Sequence, residues 1–298
     1  MSPGSSVANY NKPALVSIVL TTLNAARYLS EAVDSCLNQT YANLELIAVD
    51  GGSTDGTVEI LESYRDPRMQ LIHQIDNAGK LPGAINLGLE QARGEYLTWM
   101  QADSIYDPRA IEVMVSELEK NSAIGQVYAD YWKIDADGNV NEVIETCAPE
   151  DILKAKSDPA GVCFMIRRSV REAVGPHDVR AYPTQDYDYR LRIAMQFPSH
   201  HIRQPLYFWR LHSDSLTGSR PWTIDAKNDV EVRLRLGLSN QQQAERDLAE
   251  IDIAYAFERY RSGHYKEVPR LVLSGLRRHP AYAANRGVWS IFLRSLMH

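Results

Sequence analysis

The stretch LELIAVDGGSTDGT, residues 44–57, joins an apolar run to a polar loop rich in glycine and small hydroxyl side chains. The run has the length and composition of a buried strand, and Asp55 with Glu59 marks the start of a helix after the loop. Apolar runs of the same kind lie at 15–20 and 95–100, and amphipathic stretches separate them. This alternation predicts an α/β fold in which a mixed, mainly parallel sheet is flanked by helices.

Composition divides the chain into three parts. Residues 1–13 lack the basic and apolar regions of a signal peptide and predict a disordered lead-in. Residues 14–220 carry the strand and helix alternation and form the predicted α/β domain. Residues 221–298 lose the strand-like runs and predict a C-terminal helical appendage, in which 254–280 has the spacing of a single tetratricopeptide-like hairpin.

Global composition excludes several classes of protein. A chain of 298 residues with 44% hydrophobic and 23% charged residues is ordinary for a soluble domain with a large core. The net charge of −6 argues against nucleic acid as a partner, and no apolar run is long enough to span a membrane. The three cysteines are widely spaced, which argues against a zinc cage or disulfide framework and favours a cytoplasmic location.

Polar loops follow three of the predicted strands, at 21–24, 50–57 and 101–104. The chain contains neither a P-loop nor a G-x-G-x-x-G fingerprint after its first strand. Open α/β sheets bind ligands at the carboxyl ends of their strands, so we expect the three loops to converge on one crevice. Taken alone, the polar residues of each loop would be explained by structural roles in turns and helix caps. Asp50 is more informative, because the two glycines after it leave room for a flat ligand.

Four stretches of this chain resemble the family-2 inverting glycosyltransferases with the GT-A fold. They occur in the family's order over about residues 14–217: VSIVLTTLN, LELIAVDGGSTDGT, NAGKLPGAINLGLEQARGEYLTWMQAD and QDYDYRLR. The resemblance implies a Rossmann-like GT-A sheet, a nucleotide-sugar donor with a UDP-sugar favoured, a divalent metal, and transfer to a hydroxyl of a saccharide or lipid-linked acceptor. It also implies a role in cell-surface polysaccharide or glycolipid synthesis.

The resemblance also assigns donor-binding residues. Thr21 and Leu23 occupy positions that contact the nucleoside, and Asn24 belongs to the same loop. Asp50 matches the first acid of the loop after the second strand, whereas Gly51 stands where a second acid commonly reads the base. Lys80, in a glycine-flanked loop, is expected to reach a phosphate.

Asp103 matches the family's metal-binding acid, but its usual companion is absent because Ala102 and Ser104 flank it. One carboxylate is sufficient for Mg²⁺, since phosphate oxygens and waters fill the other positions. His212 is the expected second ligand if the metal is Mn²⁺.

Asp186 matches the base that takes the proton of the acceptor hydroxyl. Its position at the start of a predicted helix favours the ionised form, so burial or a nearby acid would have to restore its basicity. Asp188 is the alternative base, although an ion pair with Arg192 at i+4 spacing is its expected structural role.

Four further charged or titratable residues are predicted to be structural. Arg190 and Arg210 are expected to serve as ion-pair partners, with contact to a phosphate or to the acceptor as the alternative. The tandem His200 and His201 have no acid nearby in the sequence and are expected at the surface.

Two alternative functions remain open at this point. A nucleotidyltransferase would also use a Rossmann-like sheet, a metal and carboxylates, although it would usually carry a Gly-rich, basic phosphate loop after the first strand. A degenerate, non-catalytic sugar- or nucleotide-binding module would explain the acids that are missing at Gly51 and beside Asp103.

The C-terminal end is strongly basic, with eight Lys or Arg and one acid between residues 259 and 298. One interpretation is peripheral contact with the inner face of a membrane, through Trp289, Ile291, Phe292 and Leu293 with nearby arginines. The alternative is a helix packed on the catalytic body.

Overall fold

The computed structural model describes residues 13–75, 79–158 and 160–297, so that only the last residue of the predicted lead-in 1–13 is included. The strands are β1 (Val16–Thr22), β2 (Leu44–Asp50), β3 (Met69–His73), β4 (Tyr96–Gln101), β5 (Ile105–Tyr106), β6 (Gln126–Ile134), β7 (Val140–Ile144), β8 (Cys163–Arg167) and β9 (Ser199–Arg210). The helices are α1 (Leu29–Leu37), α2 (Thr57–Ser63), α3 (Lys80–Gln91), α4 (Ala110–Lys120), α5 (Arg168–Val174), α6 (Gln185–Ala194), α7 (Trp222–Arg235), α8 (Gln241–Arg261), α9 (Val268–Arg278) and α10 (Arg286–Ser295).

The strands form one mixed sheet in the order β3-β2-β1-β4-β8-β6-β9-β5, with β7 paired to β6. The first four strands are parallel, β8 enters antiparallel between β4 and β6, and β6 and β9 are again parallel. The α/β sheet flanked by helices that the sequence predicts is therefore confirmed, and its parallel pairing is concentrated around β1.

Helices cover both faces of the parallel strands, which explains why these strands are apolar without alternation. On β1, Ile18 and Leu20 enter a core with α1 and α4, whereas Val19 enters a second core with α3 and α6. At Gly88 of α3 an added Cβ would lie 2.4 Å from a methyl of Val19, so helix and strand approach as closely as the backbone allows. The close contact fixes α3, and the loop before it, against the central strands.

The predicted C-terminal helical appendage consists of α7 to α10. Helix α7 packs on the main body, where Val232 joins the second core and Arg235 pairs with Asp188 at 2.8 Å. Helices α8, α9 and α10 share a third core that includes Ile253, Val272 and Ile291. Among the described helices, none combines the length and apolar character needed to cross a bilayer.

One detail differs from the sequence-based expectation and depends on the polar first half of β9, which begins at Ser199 and pairs with β6. The expected surface position of His201 is wrong, since its ring is nearly buried, stacks on Tyr128 and lies 2.7 Å from Asp130. The acid is distant in sequence but lies on the neighbouring strand.

Candidate active site

The carboxyl ends of β2, β1 and β4 lie side by side at one edge of the sheet. The parallel register pairs Thr22 with Asp50 and Thr21 with Gln101, so the three loops predicted to converge do leave the sheet at the same level. They border a cleft of about 520 Å³ whose lining includes most of the predicted donor-binding residues: Thr21, Leu23, Asn24, Gly51, Lys80, Asp103 and also His212.

The loops after β1 and β2 are joined by side-chain to backbone hydrogen bonds. Asn24, in the left-handed region with φ of 51°, accepts from the backbone amide of Thr54 through Oδ1 at 2.9 Å. Its own amide donates to Ser53 Oγ at 2.8 Å, and the amide of Ala26 donates to Asp55 Oδ2 at 3.1 Å. These polar side chains therefore fix the shape of one wall of the cleft.

Asp50 lies beneath this wall and not on its surface. Its side chain is 2% exposed and accepts from the backbone amides of Gly52 at 3.0 Å and Ser53 at 3.1 Å. Gly52 has a φ of 95°, which turns the loop back over the carboxylate. The surface that the cleft presents at this point belongs to Gly51, whose amide donates to the carbonyl of Thr22.

Asp103 follows β4 and remains accessible from the cleft. Its side chain is 22% exposed, Oδ1 accepts from Ser104 Oγ at 3.0 Å, and Oδ2 lies 3.4 Å from His212 Nε2. The two residues are 109 positions apart in sequence and are brought together because β9 ends beside the loop after β4. A carboxylate oxygen and an imidazole nitrogen thus face one another at the wall of the cleft.

The loop that follows His212 folds back over the cleft. Ser215 Oγ donates to the carbonyl of His212 at 2.8 Å and accepts from the amide of Gly218. An added Cβ at Gly218 would lie 2.1 Å from that carbonyl, so only glycine fits this return. The loop supplies four lining residues that the sequence did not single out: Asp214, Ser215, Leu216 and Ser219.

Arg210 fixes the base of the Asp103 loop. Its guanidinium donates to the carbonyl of Asp103 at 2.9 Å and to Glu31 Oε2 at 2.6 Å, and it lies 4.5 Å from the ring centroid of Tyr28. The Tyr28 ring in turn contacts the His212 ring, at 4.9 Å between centroids. Arg210 is therefore the structural ion-pair partner that the sequence predicts, and it orients both members of the Asp103 and His212 pair.

Lys80 lies on the opposite side of the cleft. Its Nζ is 4.6 Å from the ring centroid of Tyr182, which also lines the cleft, and none of the carboxylates in the described ranges forms an ion pair with it. Among the described residues its ammonium contacts this aromatic face and no carboxylate, which leaves the charge available there to an anionic ligand.

Asp186 lies at the first turn of α6, outside the set of residues that line the cleft. Its Oδ1 accepts from Trp99 Nε1 at 2.9 Å, and its Oδ2 accepts from Gln185 Nε2 at 3.0 Å. Trp99 belongs to β4, the strand that leads to Asp103. The strand therefore connects the two acids through Trp99, a residue that none of the sequence motifs marks. The signal available was an indole N–H in a buried strand, which must find an acceptor.

Asp188 is fully engaged in ion pairs. Its carboxylate is buried and lies 2.8 Å from both Arg192 and Arg235. The predicted pair with Arg192 is present, and the second arginine from α7 satisfies the other oxygen. The side chain has no free oxygen with which to approach a ligand.

A third carboxyl group lies near α6 on helix α7. Asp229 is buried, and its Oδ1 has no hydrogen-bond partner among the described residues. Burial, with smaller contributions from Asp158 and Asp225, raises the pKa of Asp229 to about 7.

Arg190, predicted to be structural, pairs with Asp158 at 2.9 Å.

The pair Asp103 and His212 fits a divalent cation that also binds phosphate oxygens. No group of three or more metal-ligating side chains is present within residues 13–75, 79–158 and 160–297, so a protein-only cage is not available there. One carboxylate and one imidazole facing an open cleft is a donor set that suits Mn²⁺ and, through the carboxylate, Mg²⁺.

The model of the family described as "Glycosyl transferase family 2" matches residues 17–175, more than half of the chain. Among curated proteins, a Rickettsia felis protein named an uncharacterized glycosyltransferase is 32% identical over 67% of this chain, which spans 35% of that relative. EpsE of Bacillus subtilis, provisionally named a glycosyltransferase, is 31% identical over 77% of this chain and 86% of its own length.

Solved structures show the same fold at low sequence identity. S. aureus TarS in complex with UDP-GlcNAc gives a TM-score of 0.62 at 15% identity, covering 87% of this chain and 79% of that one. The mannosyltransferase PcManGT from Pyrobaculum calidifontis, in complex with GDP-Man and Mn²⁺, gives 0.61 at 18% identity and covers 99% and 83%. These likenesses confirm the GT-A fold that the sequence predicts.

Proposed function

Because the chain belongs to glycosyl transferase family 2, we propose that it is a metal-dependent inverting glycosyltransferase that acts on a nucleoside-diphosphate sugar. The observation that carries this proposal is the meeting of Asp103 and His212 at the edge of the donor cleft. The favoured donor is a UDP-sugar. UDP and UDP-GlcNAc are bound in the TarS structures, and GDP-Man is bound in the mannosyltransferase. The choice between uracil and guanine in the donor is therefore a specific point to test.

We assign the nucleoside to the wall formed by the loops after β1 and β2. Thr21 and Leu23 offer a hydroxyl and an apolar side chain. The hydrogen bond from the Thr54 amide to Asn24 joins their loop to the loop after β2. Asp50 would act through its loop, because its carboxylate fixes the backbone that presents Gly51. Lys80, which lines the other side of the cleft, would neutralise a phosphate.

Asp103 Oδ2 and His212 Nε2 are the groups that would hold Mg²⁺ or Mn²⁺. The cation, when bound, supplies neutralisation of the charge that develops on the departing diphosphate. The chain's own contribution is to fix these two ligands, through Arg210 on the Asp103 backbone and Tyr28 on the imidazole ring.

Asp186 is the proposed base. In an inverting transfer the acceptor oxygen forms a bond to the anomeric carbon as the bond to the diphosphate breaks, and the hydroxyl proton must leave. Asp186 would receive that proton on a carboxylate oxygen, while Trp99 and Gln185 fix the orientation of the group. Asp188 is unsuited to this role because its buried carboxylate is ion-paired with two arginines, whereas the hydrogen-bond partners of Asp186 are neutral.

The acceptor is proposed to be a saccharide or a lipid-linked saccharide used in cell-surface polysaccharide or glycolipid synthesis. We also propose a cytoplasmic location, since Cys36, Cys147 and Cys163 are all free thiols and protein thiols persist in reducing compartments.

The test is a panel of nucleoside diphosphates and nucleotide-sugars, with and without Mn²⁺, read by thermal shift and followed by a transfer assay with the best donor. A preferred ligand raises the melting temperature because it binds only the folded state. We expect UDP compounds with Mn²⁺ to give the largest shift. Equal shifts with and without metal would overturn the metal assignment, and binding without transfer to any acceptor would favour the non-catalytic module.

A nucleotidyltransferase would be recognised in the same panel. It would bind a nucleoside triphosphate in preference to a nucleotide-sugar and release pyrophosphate. Neither the cleft residues nor the family match favours this alternative.

A further inference from the structure

Helix α10 has one face that is packed and an opposite face that is not. Val288 and Ile291 enter the third core with α8 and α9. Trp289, Leu293 and Leu296, at i, i+4 and i+7, lie on the other face and are 39%, 58% and 61% exposed, and Met297 beside them is 76% exposed. The sequence-based interpretation included Ile291 among the side chains that would contact a membrane. This part is wrong, because Ile291 is buried inside the helical unit and is not available to a partner.

The charges in the chain segment that carries this apolar face are almost all positive. Between residues 259 and 297 the only acid is Glu267, which is paired with Arg259 at 2.7 Å. Six other cations in this segment are exposed and form no ion pair within the part of the chain that the structure describes: Arg261, Lys266, Arg270, Arg277, Arg286 and Arg294.

Helix α9 also exposes apolar and basic side chains together. Arg270, Leu273 and Arg277 are spaced at i, i+3 and i+7 and are exposed, so one side of α9 presents an apolar side chain between two guanidinium groups. Apolar and basic groups are therefore combined on two adjacent helices. We call the surface of Trp289, Leu293, Leu296 and Met297 with Arg286 and Arg294 the C-terminal face.

We propose that the C-terminal face docks the protein on an anionic lipid membrane. A helix with apolar side chains on one side and arginines beside them lies in the interface plane of a bilayer, where the apolar groups enter the acyl boundary and the cations meet the lipid phosphates. An anionic bilayer offers both contacts at once. A second copy would bring the same cations against these, and nucleic acid would neutralise the arginines but leave the leucines in water.

This inference does not depend on the proposed function, because vesicle binding is measured without donor or acceptor. The experiment is co-sedimentation of the full chain with vesicles of phosphatidylcholine alone and of phosphatidylcholine mixed with phosphatidylglycerol. We expect recovery in the pellet only with the anionic vesicles and less recovery as salt is raised, because salt screens the arginine contacts.

Two double variants separate the charged and apolar contributions. Arg286→Ala with Arg294→Ala should weaken partition onto anionic vesicles about tenfold or more, since each surface arginine contributes to the attraction. Leu293→Gln with Leu296→Gln should weaken it by a similar factor through lost burial in the acyl boundary. Both pairs are exposed, so thermal unfolding should remain at the wild-type temperature.

Matched controls come from the α/β domain. Arg65→Ala with Arg203→Ala removes two exposed cations, and Val140→Gln with Val143→Gln removes two exposed apolar side chains, each pair far along the chain from α10. These variants should bind vesicles as the wild type does. Equal recovery on neutral and anionic vesicles, or equal losses in the control and C-terminal variants, would overturn the proposal. Absence of vesicle binding together with concentration-dependent self-association would assign the face to a second copy and would also overturn it.

Discussion

Asp50 is the last residue of β2 and Asp103 lies two residues beyond the end of β4, and the structure uses these two strand-end acids differently. Asp50 is 2% exposed and is bound by two backbone amides of its own loop. Asp103 is 22% exposed, with its Oδ2 directed at His212. The loop after β2 has glycines that let its amides turn back, whereas the loop after β4 leads directly into β5 and leaves its carboxylate open. A strand-end acid becomes available to a ligand only where its own loop does not consume it.

The largest expected effect is on transfer by Asp103→Ala. Loss of the carboxylate that would hold the cation should lower kcat/KM about 10³- to 10⁴-fold, because several kcal/mol of charge stabilisation would be lost. Stability should change by less than about 1 kcal/mol, because the side chain is partly exposed. Steady-state transfer and chemical denaturation measure the two quantities.

Asp214→Ala is the matched control, since it removes another acid that lines the same cleft. It should alter kcat/KM only a few-fold. Comparable losses in the two variants would mean that the cleft requires negative charge in general and not the particular position of Asp103.

The next largest effect is expected for Asp186→Asn. The asparagine keeps the shape of the side chain and can still accept from Trp99, but it cannot take a proton, so kcat should fall about 10²- to 10³-fold. Affinity for the nucleoside diphosphate should be unchanged, because Asp186 lies outside the donor cleft. Full transfer by this variant would remove Asp186 from the mechanism.

Asp50→Ala should show the opposite pattern to Asp103→Ala. Removing the acceptor leaves the amides of Gly52 and Ser53 without their partner, which should cost about 1–3 kcal/mol of unfolding free energy. Chemical denaturation measures this loss, and Asp50→Asn, which keeps one acceptor oxygen, should lose less. An Asp50→Ala protein of wild-type stability with no donor binding would show that the acid contacts the ligand directly.

Asp229 extends the comparison to a carboxyl group that is buried without full pairing. Burial raises the pKa of Asp229 to about 7, so the folded protein retains a proton that the unfolded chain loses near pH 4. The free energy of unfolding is therefore not reduced by Asp229 at low pH, and the buried carboxyl group lowers it as the pH rises from about 4 to 7. Asp229→Asn should stabilise the protein by up to about 4 kcal/mol at pH 8, the amount that a shift of about three pKa units implies, and have little effect at pH 4. Denaturation of both proteins across this range gives the difference, and a constant difference would contradict the assignment.

The sequence predicted those features of the fold that depend on local pattern. The apolar runs of β1, β2 and β4 and the helix start after Asp55 are each defined by residues only a few positions apart, so the local pattern located these strands and helices. The parallel pairing of the strands then brought Thr21, Asp50 and Asp103 to one edge of the sheet. The ion pair of Asp188 with Arg192 was also predictable, because its spacing on a helix is fixed.

The features that sequence reasoning missed depend on contacts between distant segments. His201 finds its acid on a neighbouring strand, and Trp99 reaches Asp186 across 87 positions. The hydrogen bonding of Asp50 could not be predicted for a similar reason. The path of the loop, and not its composition, decides that the carboxylate accepts from a backbone amide of its own loop. Residue identity marks an acid as a candidate, and only the surrounding hydrogen bonds show whether it is free.

The most direct test of the account is isothermal titration of UDP into the wild-type protein and into Asp103→Ala, each with and without Mn²⁺. We predict that Mn²⁺ strengthens binding to the wild type at least about tenfold, and that Asp103→Ala binds with the same weak affinity whether or not the metal is present. An Asp103→Ala protein that retained the full Mn²⁺-dependent gain would contradict the assignment of Asp103 as the metal-holding acid.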